Sequence, residues 1–387
     1  MKFLVITHVL HKKSGDRLFA YAPYVREMNL WAKHVGTMVV IGPMEAGEPQ
    51  AIDLDYAPEN LQFIPVPGLN FSSFSLAIRS MMQLPGIVLT IAKAMRQADH
   101  LHLRCPGNMG LIGCFLQILF PGKQKTAKYA GNWDFRTKQP WSYRLQQRLL
   151  RNTFLTRHMT ALVYGKWPDQ SRNILPFFTA SYRESDITDT PPRALGKTQP
   201  IRLIFVGTLT ENKRPALAVA TTALLKTKGY QVHLDLYGDG IQKAALQQII
   251  AANNLQREVE LHGNVGASHL EKAYQRAHFL LFASRSEGWP KAVAEAMFWG
   301  CLPITTPVSC VPDMLGQGLR GHLVAPDAQE MASVVEAYVV EPEHYHSKCL
   351  AAMKWSRQYT LDFFETEIAR ILQSTLCGCE NRDRVII

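Results

Sequence analysis

Two series of short apolar runs, each alternating with longer amphipathic stretches, are separated by a single polar interval at Asp186 to Pro200. That rhythm constrains the fold, because strands apolar along their whole length need helices on both faces of a parallel sheet. In the first series Lys2 to Thr7, Thr37 to Ile41, Leu61 to Val66, His100 to Arg104 and Thr126 to Ala130 read as strands. Pro23 to Lys33, Leu76 to Gln97 with a break near Pro85, Met109 to Leu119 and Trp141 to Phe154 read as helices. The second series places strands at Arg202 to Val206, Val232 to Tyr237, Val259 to His262, Phe279 to Ala283 and Leu302 to Thr305. Its helices are expected at Arg214 to Thr227, Gln242 to Asn253, Glu271 to Arg276 and Lys291 to Trp299. The interval itself, rich in Thr, Pro and charge, reads as a linker. The expected fold class is therefore α/β, two doubly wound Rossmann-like domains facing a cleft. Their bounds are residues 1–185 and 201–350 with the linker at 186–200. Ligands bind such sheets at the carboxyl ends of the strands.

The 387 residues are 47% hydrophobic and 19% charged, which suits two globular domains and gives no bias toward disorder. Met1 to Leu10 is apolar but short, with no preceding basic segment, and is read as neither signal peptide nor anchor. The longest lipid-like run is taken as Gly110 to Phe120, about half of the roughly twenty residues a bilayer crossing needs. Seven cysteines without a Cys-x-x-Cys pair argue against a disulfide framework or structural zinc and fit a reducing cytoplasm. The Cys377-Gly378-Cys379 pair reads as incidental. The net charge of +10 is uneven: residues 1–199 hold 24 Lys and Arg against 13 Asp and Glu, and residues 123–172 hold eleven against two. Such a field attracts an anionic surface or substrate.

Glu287 and Glu295 stand eight positions apart with a helix start between them, Pro290 suiting the first helical position and Gly300 with Pro303 the far end. Glu287 is then on a loop and Glu295 about one turn into a helix. Two carboxylates can accept from hydroxyl-bearing groups while the free N–H groups between them face an anion, which is the outline of a nucleotide sugar. Two solvated carboxylates beside an amphipathic helix is the plainer reading. Gly207-Thr208-Leu209-Thr210-Glu211-Asn212-Lys213-Arg214 follows the first strand of the second series. Its two cations at a helix start could neutralise a diphosphate, or the segment is only a turn. Gly238-Asp239-Gly240 also follows a strand, and its glycines let backbone approach a flat ring.

Taken in order, these elements resemble the nucleotide-binding half of retaining glycosyltransferases of the GT-B fold, most closely glycosyltransferase family 4. Four motifs carry the resemblance: the Gly207 to Lys213 loop, the Gly238 to Gly240 loop, the Glu287 to Glu295 pair, and Gly300-Cys301-Leu302-Pro303 followed by Val311-Pro312-Asp313. It implies that Lys213 contacts the donor diphosphate, Glu287 the donor sugar, and Glu295 the ribose, with the Gly238 region by the base. Gly207, Thr208, Gly240, Gly288, Trp289, Pro290 and Lys291 complete the donor set. Trp355 to Leu372 looks like the family's last helix, so 351–387 is expected to cross back to the first domain. The chain departs from the pattern where Arg usually follows the loop glycine, having Thr208, so Arg214 or a first-domain cation is the substitute. Ser309-Cys310 and Asp313 replace the usual Gly-Gly and Glu. In the first domain the Gly-Gly loop is reduced to Ser14-Gly15-Asp16, and the strand-end His is replaced within Tyr129-Ala130-Gly131-Asn132-Trp133-Asp134.

Gly15, Arg104, Asn108, Asn132 and Asp134 are the acceptor-side candidates. For Arg104 and Asn108 a plain strand-to-helix turn is the alternative, and for Asn132 and Asp134 a turn-capping role. His8, His11 and His102 are read as structural. Trp141, Leu145 and Leu149 with Arg144, Arg148 and Arg151 form a basic amphipathic helix that docks on an anionic membrane or packs its stripe into the core.

The chemistry implied is transfer of a hexose-type sugar from a nucleoside diphosphate to a hydroxyl of a lipid-linked or polymeric acceptor with retention, in bacterial surface polysaccharide assembly. Lys213, Arg214 and Glu287 are its catalytic candidates. No cofactor or metal is demanded, and Asp53-Leu54-Asp55 reads as surface. Competing readings are an epimerase or phosphorylase on a similar scaffold, and a basic nucleic-acid-binding protein, for which no recognisable module is present. A dinucleotide dehydrogenase is disfavoured because Gly-x-Gly-x-x-Gly is absent after the first strand. The expected location is cytoplasmic, at the inner face of the membrane.

Overall fold

The computed structural model describes residues 1–70 and 72–377; Cys379, and with it the Cys377–Cys379 pair, lies outside the described residues. The chain divides into two compact units, Met1–Thr179 with the chain from Phe363, and Ala180–Asp362.

The first unit holds β1 (Lys2–Ile6), β2 (His11–Ser14), β3 (Arg17–Tyr21), α1 (Ala22–Ala32), β4 (Thr37–Pro43), β5 (Asp53–Asp55) and β6 (Leu61–Val66). It continues with α2 (Phe74–Gln97), β7 (His100–Cys105), α3 (Asn108–Leu116), β8 (Gln124–Tyr129), α4 (Trp141–Arg151), β9 (Met159–Tyr164) and β10 (Ile174–Phe177). Seven of these strands form a parallel sheet in the order β10-β9-β8-β7-β1-β4-β6. Phe3, Leu4, Val5 and Ile6 are fully buried at its centre, each worth about 1.5–3 kcal/mol of removal from water. Connections reverse direction between β1 and β7, the switch point where α/β sheets bind ligands.

Two sequence expectations are corrected here. A small antiparallel sheet, β2-β3-β5, stands beside the main one. Its outer strands β2 and β5 are mostly polar and lack an apolar signature, and ion pairs Lys12–Asp53 (3.0 Å) and Arg17–Asp55 knit the sheet together. Pro85 does not break α2, which runs unbroken for 24 residues. Pro85 and Gly86 lie on the exposed side, where water can serve the carbonyl left without its donor.

The second unit holds β11 (Ile201–Val206), α5 (Pro215–Thr227), β12 (Val232–Tyr237), α6 (Lys243–Ala252), β13 (Val259–Gly263), α7 (Ala267–Arg276) and β14 (Phe279–Phe282). There follow α8 (Lys291–Phe298), β15 (Leu302–Thr305), α9 (Val311–Met314), β16 (His322–Leu323), α10 (Ala328–Val340) and α11 (Pro342–Ser356), and α12 (Leu361–Cys377) starts at the end of this unit. The sheet is parallel, ordered β13-β12-β11-β14-β15-β16, with its switch point between β11 and β14. The 186–200 interval is irregular but strapped down. Leu195 joins the core of this unit, Arg193 donates to Trp299 O (3.1 Å), and the Ala194 carbonyl meets His278 Nε2 (3.1 Å). From Phe363 the last helix belongs to the first unit, where Phe364 packs edge-on against Phe177 and Phe178.

Candidate active site

The two glycine loops of the second unit are one structure. Gly207 N–H donates to Tyr237 O (3.0 Å), Leu209 N–H to Asp239 O (3.0 Å), and Gln242 N–H to Leu209 O (3.0 Å). Gly238 has φ +126°, and a Cβ there would lie 2.0 Å from Gly207 O; at Gly240 it would lie 2.5 Å from Leu209 O. Only glycine lets these backbones touch at the carboxyl ends of β11 and β12.

Beside that floor, after β14, lies the loop carrying Glu287. Lys213 Nζ and Ser284 Oγ both donate to Glu287 Oε1. Asn212 Nδ2 donates to Ser286 O (3.0 Å), Arg285 N–H to Asn212 O (2.8 Å), and Thr306 Oγ1 to Ser284 O (2.7 Å). Three loops, from β11, β14 and β15, are thereby tied together across the switch point. Lys213 Nζ also lies 5.4 Å over the Phe282 ring, close enough for a cation–π contribution. Both partners of the pair are largely shielded from water, so it is not an ordinary surface ion pair.

Pro290 is the N-cap of α8 rather than its first residue, with Lys291 following, a one-residue offset of the kind helix ends commonly show. The Val293 and Ala294 N–H groups donate back to Pro290 O (3.0 and 3.3 Å). Trp289 anchors this turn: its ring stacks at 6.3 Å on Trp355 and meets Tyr359 edge-on at 5.9 Å. On the other side, Ser309 Oγ donates to Gly288 O (3.1 Å). Glu295 lies inside α8 as expected, and its carboxylate accepts from Ser181 Oγ (2.5 Å) and Tyr274 OH (3.2 Å). It thus belongs to a hydroxyl cluster of its own, while Glu287 pairs with Lys213.

Arg214, the expected substitute cation, stands at the start of α5. It occupies the left-handed N-cap position of α5 (φ 51°), and its Nη1 donates to Ala283 O at 3.4 Å. Burial first, and the charge of Arg285 second, lower its pKa from the ordinary value. Thr208 is exposed on the loop. Ser284, Asn212, Thr306, Ser181, Tyr274 and Arg285 were not among the sequence candidates; Ser284, three residues before Glu287, offered the one local signal.

The acceptor-side candidates, all in the first unit, are placed as follows. Gly15 (φ +58°) turns the β2–β3 hairpin, where Ser14 pairs with Arg17. Arg104 is buried and ion-paired with Glu27 (2.6 Å), whose other oxygen accepts from Thr179 Oγ1. This places Arg104 in the core network. Asn108 is exposed at the start of α3 and donates to Leu69 O (3.3 Å). Asn132 Oδ1 accepts from Asp134 N–H (2.9 Å) and Asp134 Oδ1 from Arg136 N–H (2.9 Å). These are successive Asx turns, the capping alternative. In α4, Leu149, Leu150, Gln146 and Gln147 face inward while Trp141, Arg144 and Arg148 are exposed, so the stripe packs into the core except at its first residue.

Two Rossmann-like units in series are the GT-B fold. The chain superposes over 97% of its length, with a TM-score of 0.69 and 13% identity, on the whole of the Anabaena HepE chain crystallised with UDP and glucose. It matches sucrose-phosphate synthase from Thermosynechococcus elongatus with the same TM-score and identity, covering 97% of this chain and 99% of that one. Identities this low concern the fold alone. Residues 187–349, most of the second unit, match the family of group 1 glycosyl transferases. Relatives include the amylovoran biosynthesis glycosyltransferase AmsK of Erwinia amylovora, 28% identical over 35% of either chain. A phosphatidylinositol N-acetylglucosaminyltransferase component from Arabidopsis thaliana is 25% identical over 43% of this chain and 38% of its own. A GDP-mannose:cellobiosyl-diphosphopolyprenol alpha-mannosyltransferase of Xanthomonas oryzae is 25% identical over 42% and 44%. The matched stretch spans little more than a third of the first two relatives.

Proposed function

We propose that the protein transfers a hexose-type sugar from a nucleoside diphosphate donor to a hydroxyl of a lipid-linked or glycan acceptor, with retention of configuration. The observation that carries this reading is the Lys213–Glu287 pair held at the β11/β14 switch point, between the glycine floor and the start of α8. A cation, an amide-rich helix start and an acceptor-only carboxylate match, in turn, a diphosphate and a sugar hydroxyl. The Gly238 region is read as lying by the base, and Glu295 on α8 as the ribose contact. Relatives named for amylovoran biosynthesis and for a diphosphopolyprenol acceptor support a place in bacterial surface polysaccharide assembly; the proposed place of action is the inner face of the membrane.

In the proposed reaction the donor displaces the internal ion pair. Lys213 turns to the diphosphate and Glu287 to a sugar hydroxyl. As the glycosidic bond breaks, Lys213 and the α8 start stabilise charge on the leaving oxygen, a contribution commonly worth about 10²–10³ in rate for one such donor. Glu287 fixes the sugar, and the leaving phosphate takes the acceptor proton on the same face. No metal or cofactor enters this scheme. The test is a thermal-shift screen of nucleotide sugars followed by product analysis. Stabilisation that grows with donor concentration, and transfer to an added acceptor, are expected. A donor altered without transfer would make the protein an epimerase.

A further inference from the structure

The strongest unassigned feature is α2. Phe74, Met82, Leu89 and Met81 are 84%, 78%, 70% and 66% exposed, and Ile78, Leu84 and Pro85 join them in solvent. At 3.6 residues per turn, Phe74, Ile78, Met82, Pro85 and Leu89 fall within an arc of about 80°, while Ser80, Ile87, Ile91 and Ala94 fall about opposite. The opposite side is the buried one: Ile87, Ile91, Ala94 and Met95 enter the core of the first unit, and Ser80 Oγ is bonded to Asn70 N–H (3.0 Å) and O (2.9 Å). The helix therefore has one face in the protein and one large apolar face that no described residue covers. The neighbouring α3 segment, packed on α2, adds exposed Phe115 and Leu119.

Charge selects the occupant. Between Asn60 and Trp133 the chain has a single acidic residue, Asp99, whose carboxylate holds Lys2 N–H. The same stretch carries Arg79, Lys93 and Arg96, all exposed on α2. An apolar face rimmed by cations and free of carboxylates fits the headgroup boundary of an anionic bilayer.

We infer that α2 lies in the plane of an anionic membrane with the Phe74–Leu89 face immersed among the lipids. The helix is long and apolar enough to cross a bilayer, contrary to the sequence estimate that Gly110 to Phe120 was the longest such run. Crossing would tear Ile87, Ile91 and Met95 from the core, and the stretch ahead of these core residues, Phe74 to Gly86, in which Ser80 is buried, is about 20 Å long against a hydrocarbon core of about 30 Å. Docking in the plane keeps the core intact. The inference deepens the membrane-side reading above, but it stands on this surface alone.

Co-sedimentation of the full chain with vesicles tests it, using phosphatidylglycerol–phosphatidylethanolamine against phosphatidylcholine, with no donor or acceptor present. The wild type should pellet with the anionic vesicles and at least about tenfold less with the neutral ones. Met82→Glu/Leu89→Glu should lose binding about tenfold or more, with an unchanged melting temperature and unchanged nucleotide-sugar thermal shift. Arg79→Glu/Lys93→Glu should erase the preference for anionic lipid. Wild type that ignores vesicles, or an apolar variant that binds like wild type, overturns the inference. So does a concentration-dependent dimer in analytical ultracentrifugation that Met82→Glu/Leu89→Glu dissolves, because the occupant would then be a second copy. Vesicle binding without any nucleotide-sugar response would leave the docking face standing and remove the transferase reading.

Discussion

The ammonium of Lys213 is bonded to the carboxylate of Glu287, 74 residues further along the chain, and Ser284 donates to the same oxygen. Each charge is the other's counterion, which keeps two partly buried groups paired. The pair also sets the loops after β11 and β14 in register with the start of α8.

The glycine floor beneath this pair is steric in origin. Gly238→Ala would place a methyl 2.0 Å from Gly207 O at a φ that alanine rarely adopts. A loss of about 2–4 kcal/mol is expected from the combined clash and strain, with disappearance of the nucleotide-sugar thermal shift. Gly229→Ala, also at positive φ (+88°) but in open space, should cost stability alone and leave the shift. Equal responses of the two would show that the floor has no ligand role.

Arg104 and Glu27 form a buried pair, so removing one partner strands a charge. Arg104→Met alone should cost about 3–5 kcal/mol, and the double variant Arg104→Met/Glu27→Leu clearly less. Urea unfolding of the single and double variants measures this. Equal destabilisation by both, together with a rise in KM for acceptor in the double variant, would return Arg104 to the acceptor site.

Acid should weaken the first unit in particular. Burial pushes His100 down to about 3 from 6.5 and holds His102 well below it; both rings bond Thr126 Oγ1. Folding therefore excludes a proton the unfolded chain would bind. Stability is complete above pH 6.5 and is lost as pH falls toward the folded values, about 2 kcal/mol for His100 by pH 5. His100→Gln, which does not titrate, should be less stable at pH 7 yet flatten the decline between pH 7 and pH 5 by about that amount. Parallel declines in wild type and variant would contradict this.

What could be read from the sequence follows from where the determinants lie along the chain. Strands such as Phe3 to Ile6 and Leu203 to Phe205 are buried on both faces, and an unbroken apolar run reports that directly. The β2-β3-β5 sheet was hidden because ion pairs that join Lys12 to Asp53 and Arg17 to Asp55, far along the chain, help to order it. Glu287, Lys213 and the two glycine loops were legible because each follows a strand in a recognisable local motif. Their mutual pairing was not, since it joins residues 74 apart. Likewise nothing near Glu295 announces Ser181, and nothing near Trp289 announces Trp355 and Tyr359. Asn132 and Asp134 allowed two readings because the side chain that caps a turn is the same one that binds a hydroxyl.

Calorimetric titration of the wild type, Lys213→Ala and Glu287→Gln with a nucleoside diphosphate and with its hexose conjugate tests the division of labour most directly. Lys213→Ala should weaken both ligands roughly 10- to 100-fold, the worth of a hydrogen bond to a charged group at about 1.5–3 kcal/mol. Glu287→Gln should leave the bare diphosphate bound as well as or better than before, and weaken only the sugar conjugate. Loss of diphosphate binding in Glu287→Gln equal to that in Lys213→Ala, or no change in either variant, would contradict the account.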